Sequence, residues 1–112
     1  MSVPAGDSTP DEATPGELLA VAHAMFLAAA LSEALAQAGS PARDLVVDAD
    51  CSFRGSIQDW RLTGIDFRAR GSVPEIDERA FRDAALTARH QSLRAAEVRE
   101  DLPGDTEATL ES

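Results

Sequence analysis

The first regular feature of the chain is an apolar run without a polar face. From residue 18 to residue 31, fourteen positions carry no formal charge, and His23 is their only polar side chain. A helix that is apolar all round is typical of a helix buried on every side. Because a membrane span needs about 20 predominantly apolar residues, we interpret the run as a core helix and exclude a membrane span.

Capping residues mark the limits of this helix. Thr14 is a typical N-cap residue, and Pro15 suits the first helical position. Gly39 is a typical residue to end the helix, which is therefore predicted over about 15–38. Ahead of it, residues 1–14 are acidic and Pro-rich with few apolar side chains, a composition that predicts a disordered tail.

Two alternating segments then predict a β-hairpin. In residues 45–54 one parity is apolar and the other polar, as in a half-buried strand. A turn leads into a second strand, residues 59–71, and its apolar parity slips at Gly64, which predicts a β-bulge. The apolar positions are Leu45, Val47, Ala49, Cys51 and Phe53 in the first strand, and Trp60, Leu62, Ile65, Phe67 and Ala69 in the second.

A second helix and a last strand complete the pattern. Asp77 is the expected N-cap, and small or apolar residues recur every three or four positions from Phe81, with Arg89 assigned to the opposite, polar face. Residues 106–112 alternate as a short strand. The order helix, strand, strand, helix, strand predicts an α+β fold in which the long first helix is buried on an antiparallel sheet.

The charge balance argues against two classes of partner. The chain has 20 acidic residues against 10 arginines and no lysine, giving a net charge of −10. Such a surface repels the phosphates of nucleic acids and anionic membrane surfaces, so we expect neither as a partner. The N-terminus has no basic region followed by an apolar one, so the pattern favours a cytoplasmic protein.

Three segments of the chain stand out as a set: "ELLAVAHAMFLAAALSEALAQAG", "ADCSF" and "LTGIDFRARGSVPEID", followed by the long second helix. In this order they resemble the OsmC family of osmotically inducible and organic-hydroperoxide-resistance proteins. The resemblance covers about residues 15–110 and implies an OsmC-like domain over 15–112 that lacks the family's N-terminal sheet segment. It also implies a homodimer with a shared core and a link to oxidative stress.

The family's chemistry, as the resemblance implies it, is thiol peroxidation. A cysteine in the first helix is oxidised to a sulfenic acid and a second cysteine resolves it, while an arginine and a glutamate hold the first thiol as thiolate. In this chain the attacking cysteine falls on Phe26, the resolving cysteine on His90 and the glutamate on Gly16. The arginine belongs to the N-terminal segment that has no counterpart. No catalytic residue is therefore assigned.

The residues expected to line the former pocket are His23, Met25, Phe26, Cys51 and His90. Phe26 and its neighbours are interpreted as filling the vacated space. The two histidines, with Glu17 or Cys51, provide too few ligands for us to predict a metal, and no cofactor is expected. Cys51 lies on the apolar face of its strand, so we expect it to be buried and unreactive.

The function expected from these observations is that of a non-catalytic OsmC-like protein, a dimeric binding or structural module. Two alternatives stay open. One is a peroxiredoxin-like hydroperoxide reductase that acts through Cys51 or a partner subunit. The other is a protein that binds a small apolar ligand in the former pocket.

Overall fold

A computed structural model describes residues 2–4, 14–55 and 61–111, and in this range the chain forms two helices and four strands. Their bounds are β1 Ser2–Pro4, α1 Pro15–Gln37, β2 Asp44–Arg54, β3 Arg61–Ser72, α2 Glu78–Ala95 and β4 Thr106–Leu110. The α+β fold is confirmed. Trp60 and the predicted turn after Gly55 lie outside the described residues.

The predicted caps form the ends of α1. The Thr14 hydroxyl accepts a hydrogen bond from the Glu17 amide at 3.1 Å, and the Glu17 carboxylate accepts one from the Thr14 amide at 3.3 Å, which completes a capping box. At the other end Gly39 adopts φ +84°, and the Ser40 amide donates to the Leu35 carbonyl at 2.9 Å. This hydrogen bond closes the helix, as in other helices that end at a glycine in the left-handed conformation.

The four strands form one sheet in the order β1-β2-β3-β4. The hairpin pairs Cys51 with Ile65 and Ser52 with Gly64, and the next pair is Phe53 with Leu62, so one extra residue lies in β3. This confirms the bulge predicted at Gly64. Because the bulge shifts the phase, residues of both parities in β3 face the core.

The prediction of an antiparallel sheet is wrong for β4. The pairs β1–β2 and β2–β3 are antiparallel, but β4 runs parallel to β3 and makes the sheet mixed. The reason is the connection: α2 carries the chain back across one face of the sheet before β4 begins, as a crossover to a parallel strand requires. Arg68 and Arg70 of β3 consequently lie on a strand that has partners on both sides.

The N-terminal residues depart from the expected tail. Within residues 1–14, Ser2–Pro4 form β1 and pair with residues 46–48, while Thr14 belongs to the helix cap. Composition alone does not predict such a strand, because the backbone hydrogen bonds that join it to the edge of β2 do not depend on apolar side chains. The observed order of elements therefore begins with a strand. This strand does not contain the arginine that the resemblance assigns to the family's N-terminal segment.

Both helices cover the same face of the sheet, and the core lies between the two layers. Ala24, Leu27 and Leu31 of α1 are fully buried, as are Phe67 of β3 and Phe81 of α2. By length and composition alone α1 is long and apolar enough to cross a membrane. Its length therefore does not exclude a membrane span, contrary to the interpretation of the sequence. The inner face of α1 packs on the sheet, as it does in core helices of similar length and apolar composition.

Candidate functional site

One side of α1 opens into a cleft of about 520 Å³, here called the His23 cleft. The sheet contributes to its walls from β2 and β3, and the segment that follows α2 forms its rim. Among the residues that the structure describes, its lining is apolar apart from one histidine and one carboxylate. The lining residues are Leu19, Ala22, His23, Phe26, Phe53, Leu62, Ala95, Ala96, Glu97 and Val98.

His23 is the polar group inside this cleft. The residue is only 3% exposed, and its Nδ1 atom is sealed from solvent without a hydrogen-bond partner. Burial lowers the pKa of the His23 imidazole from its ordinary value, because the charged form loses its hydration. The side chain is therefore a neutral imidazole at pH 7.

Glu97 shapes the rim of the cleft. It has φ +61°, and the Val98 amide after it donates to the Leu93 carbonyl at 3.0 Å, closing the end of α2. Glycine is the residue that adopts this left-handed conformation without strain. The chain places an acidic side chain there instead.

Phe26 does not fill the protein core, contrary to the expectation from the sequence. Met25 and Phe26 are each 42% exposed, whereas Leu27 is fully buried. The reason is geometric: successive helical residues point about 100° apart, so these three cannot all face the sheet. Together with Leu18 and Leu19 the two form an exposed strip, here called the α1 apolar face.

The five residues expected around one former pocket do not meet in one place. His23 and Phe26 share the His23 cleft, and Met25 and Phe26 share a shallow depression on the α1 apolar face. Cys51 lines a separate cleft. His90 is exposed on α2 and lines none of these openings; the α2 residues that share a cleft with Phe26 are Gln91, Ser92 and Ala95.

Cys51 occupies a cleft beside the N-terminus of α1, with Gly16, Glu17 and Asp50 among its neighbours. It is half-buried rather than fully buried. Burial, reinforced by the Asp50 carboxylate, raises the pKa of the Cys51 thiol to about 11. The thiolate fraction at pH 7 is then on the order of one in ten thousand.

Metal ligation finds little support among these side chains. Within residues 14–55 and 61–111, no group of three or more His, Cys, Asp or Glu side chains is placed to hold an ion. The His23–His90 combination considered from the sequence is not assembled by the fold, because His23 faces the cleft and His90 faces solvent.

Arg89 is the buried residue that the sequence pattern missed. The sequence pattern assigned Arg89 to the polar face of α2. In the structure its guanidinium donates to the carbonyls of Ile65 and Leu102 at 2.9 Å and to the Thr106 hydroxyl at 3.2 Å. It also lies 5.5 Å from the centre of the Phe67 ring. Burial lowers the pKa of Arg89, while nearby carboxylates oppose that shift. Arg89 joins α2 to β3, to the loop between α2 and β4, and to β4 itself, so its role is structural.

The fold and the cleft define a class: a two-layer α+β domain in which a long apolar helix presents one buried histidine to an open cleft. The architecture is the OsmC fold, as the sequence resemblance predicts. The chain resembles an OsmC organic hydroperoxide resistance protein from Legionella pneumophila with a TM-score of 0.63 at 13% identity, covering 88% of this chain and 69% of that one.

Two further structures give the same result. An organic hydroperoxide resistance protein from Elizabethkingia anophelis has a TM-score of 0.65 at 17% identity, covering 96% of this chain and 74% of that one. An OsmC-like protein from Mycoplasma pneumoniae has a TM-score of 0.69 at 13% identity, with 88% and 72% covered. The chain matches no protein-family model, and no curated protein sequence matches it. The likeness therefore rests on the fold.

Proposed function

We propose that this chain is a member of the OsmC family that has lost the family's thiol peroxidase chemistry and works as a homodimeric binding module. The OsmC fold supports the family assignment. The observation that carries the non-catalytic part is the state of the single thiol: the pKa of Cys51 is raised to about 11, and a phenylalanine stands where the resemblance places the attacking cysteine.

The chemistry that this proposal excludes is specific. Peroxide reduction by two cysteines needs a thiolate to attack the O–O bond and a second thiol to resolve the sulfenic acid. One chain supplies a single thiol, so no intramolecular disulfide can close that cycle. Cys51 acting with an external reductant would need a thiolate, which its surroundings disfavour.

A peroxide-consumption assay tests this point. Purified protein and its Cys51→Ser variant are compared for turnover of organic hydroperoxide, with dithiothreitol or a dihydrolipoyl donor present. We expect equal, background rates. Saturable turnover that disappears in Cys51→Ser would replace the proposal with the one-cysteine enzyme.

The dimer part of the proposal rests on the α1 apolar face. Met25, Phe26 and Leu18 are each more than 40% exposed on one helix, a contiguous apolar strip of the kind that marks an interaction surface. A second copy seated there would bury more than about 2,000 Å² in total if the interface is permanent. The resemblance implies the same arrangement.

Light scattering with two matched variants tests the interface. The wild-type protein should give twice the 11.9 kDa chain mass at micromolar concentration. Phe26→Asp should shift it toward the monomer, because a carboxylate would be buried without a partner. Leu86→Asp alters a comparably exposed leucine on α2 and should leave the dimer intact. A folded wild-type monomer would refute the dimer.

We further propose that the protein is cytoplasmic and that it binds neither nucleic acid nor membranes. Its net charge of −10 supports the second part, because such a surface repels phosphates and anionic lipids. Because α1 passes the length and composition test for a span, flotation with neutral lipid vesicles is the direct check. Protein that floats with the vesicles would assign the α1 apolar face to lipid instead of a second copy.

A further inference from the structure

We propose that the His23 cleft binds an uncharged, largely apolar small molecule with one hydrogen-bond acceptor, and that the Nε2–H of His23 donates to that acceptor. The inference rests on the proposed role as a binding module and names the chemical class of its ligand. His23 is the buried polar side chain among the described residues of this cleft, and its neighbours there are mostly apolar.

The burial of Nδ1 decides which nitrogen of the His23 imidazole carries the proton. Nδ1 is sealed from solvent and has no partner, so a proton there would be a buried N–H without an acceptor. The doubly protonated ring would have the same defect and an unpaired charge, consistent with the lowered pKa of His23. An unprotonated Nδ1 also lacks a partner, but orphaned buried N–H donors are rarer in proteins than under-satisfied acceptors. The neutral ring therefore keeps its proton on Nε2, and Nε2–H is the donor available to the cleft.

The lining of the cleft decides which class of ligand it accepts. Leu19, Phe26, Phe53, Leu62 and Val98 give it apolar walls, and its volume of about 520 Å³ lies in the range of small-molecule sites. Among the described residues that line the cleft, Glu97 alone is charged, so an anionic ligand would meet a like charge. A cation would be attracted by Glu97 at the rim, but it would leave the buried Nε2–H of His23 without an acceptor. An uncharged molecule with a carbonyl, ester or ether oxygen satisfies both conditions.

The test uses a pair of probes that differ in the acceptor alone. Acetophenone and ethylbenzene have nearly the same shape, but only acetophenone carries a carbonyl oxygen. Because ethylbenzene is the more apolar of the two, the informative quantity is how the ratio of their affinities changes between variants. Dissociation constants are measured by NMR titration on the full chain at pH 7.5.

His23→Phe keeps an aromatic ring and removes the donor, and His90→Phe is the matched control on an exposed histidine. We expect the acetophenone-to-ethylbenzene affinity ratio to fall about fivefold in His23→Phe, the loss of one hydrogen bond, and to stay within about twofold in His90→Phe. An unchanged ratio in His23→Phe would overturn the proposal. Failure of both probes to bind the wild-type protein would also overturn it, because the cleft would then be filled by other means, such as a second copy.

A measurement on the unaltered protein covers the case in which His23→Phe does not fold. Nitrogen-15 NMR of the histidine side chains reports the tautomer directly, and acetophenone should shift the Nε2 resonance of His23 while ethylbenzene does not. A proton found on Nδ1 would refute the inference. These results are independent of the peroxide and light-scattering experiments, so loss of the ligand inference and loss of the proposed function are separate outcomes.

Discussion

The strongest stability prediction concerns Arg89, and the substitution that isolates its contribution is Arg89→Met. Methionine keeps an unbranched chain that can fill most of the same volume, but it removes all five N–H donors. The carbonyls of Ile65 and Leu102 then lose their guanidinium partner at 2.9 Å, and the Thr106 hydroxyl loses its contact at 3.2 Å. The rest of α2 is unchanged.

The size of the effect follows from those contacts. A buried acceptor left without a partner costs about 1–3 kcal/mol, and two carbonyls lie in this position. The arginine over the Phe67 ring at 5.5 Å adds a smaller cation–π contribution, about 1 kcal/mol. Removing a buried cation offsets part of this loss, because the charge no longer has to be desolvated. We therefore expect Arg89→Met to lower the free energy of unfolding by about 2–4 kcal/mol.

Urea unfolding followed by far-ultraviolet circular dichroism measures this difference. The matched control is Arg68→Met on β3, where the arginine side chain is 58% exposed and lies 3.7 Å from the Asp50 carboxylate. An exposed pair of this kind contributes little, so the control should change stability by less than about 0.5 kcal/mol. All samples are kept at one protein concentration, since assembly would alter the apparent stability. Equal losses in the two variants, or a loss below about 1 kcal/mol in Arg89→Met, would refute the reasoning.

Three further predictions follow from backbone conformation and burial. Gly104 has φ +142°, and an added Cβ would overlap a β3 carbonyl oxygen, so Gly104→Ala should cost more than about 2 kcal/mol in urea unfolding, against about 1 kcal/mol for Gly39→Ala, which has open space. Glu97→Gly should be more stable than Glu97→Ala by about 1 kcal/mol, because only glycine relieves the left-handed strain; equal stabilities would contradict this. The pKa of His23 is lowered on folding, so the unfolded chain binds a proton more readily and stability should fall as the pH drops below 6.5. Unfolding at pH 7.5 and 5.5 should show this loss in His90→Gln but not in His23→Phe, and a loss retained in His23→Phe would assign it to other groups.

The elements that the sequence predicted best were those with local signals. Thr14 and Asp77 each begin a helix as their capping chemistry predicts, and Gly64 lies at the bulge that the slipped parity indicated. Such features depend on residues close together in the chain. Periodicity of two or of 3.6 residues therefore identifies them without knowledge of the tertiary structure.

The features that the sequence could not predict depend on distant partners. The parallel direction of β4 is set by the path of the chain over the sheet, which alternation does not encode. Arg89 is buried because its long side chain reaches two carbonyls that only the folded corner brings together. For the candidate site, the sequence singled out His23 and Phe26, but nothing in it indicated that Phe53, Leu62 and the end of α2 would complete the cleft.

The parallel pairing of β4 has a consequence for how the chain is synthesised. β3 has β2 on one side as soon as the hairpin forms, but its other edge stays open until α2 and then β4 have been made, on the order of seconds at normal rates of translation. During that interval Ile65 and Phe67 belong to an unpaired strand edge, the kind of surface on which nascent chains aggregate. Arg68 and Arg70 alternate with these apolar residues and would repel a second unfinished copy. In the finished fold they belong to a central strand, so this protective role would be confined to the growing chain.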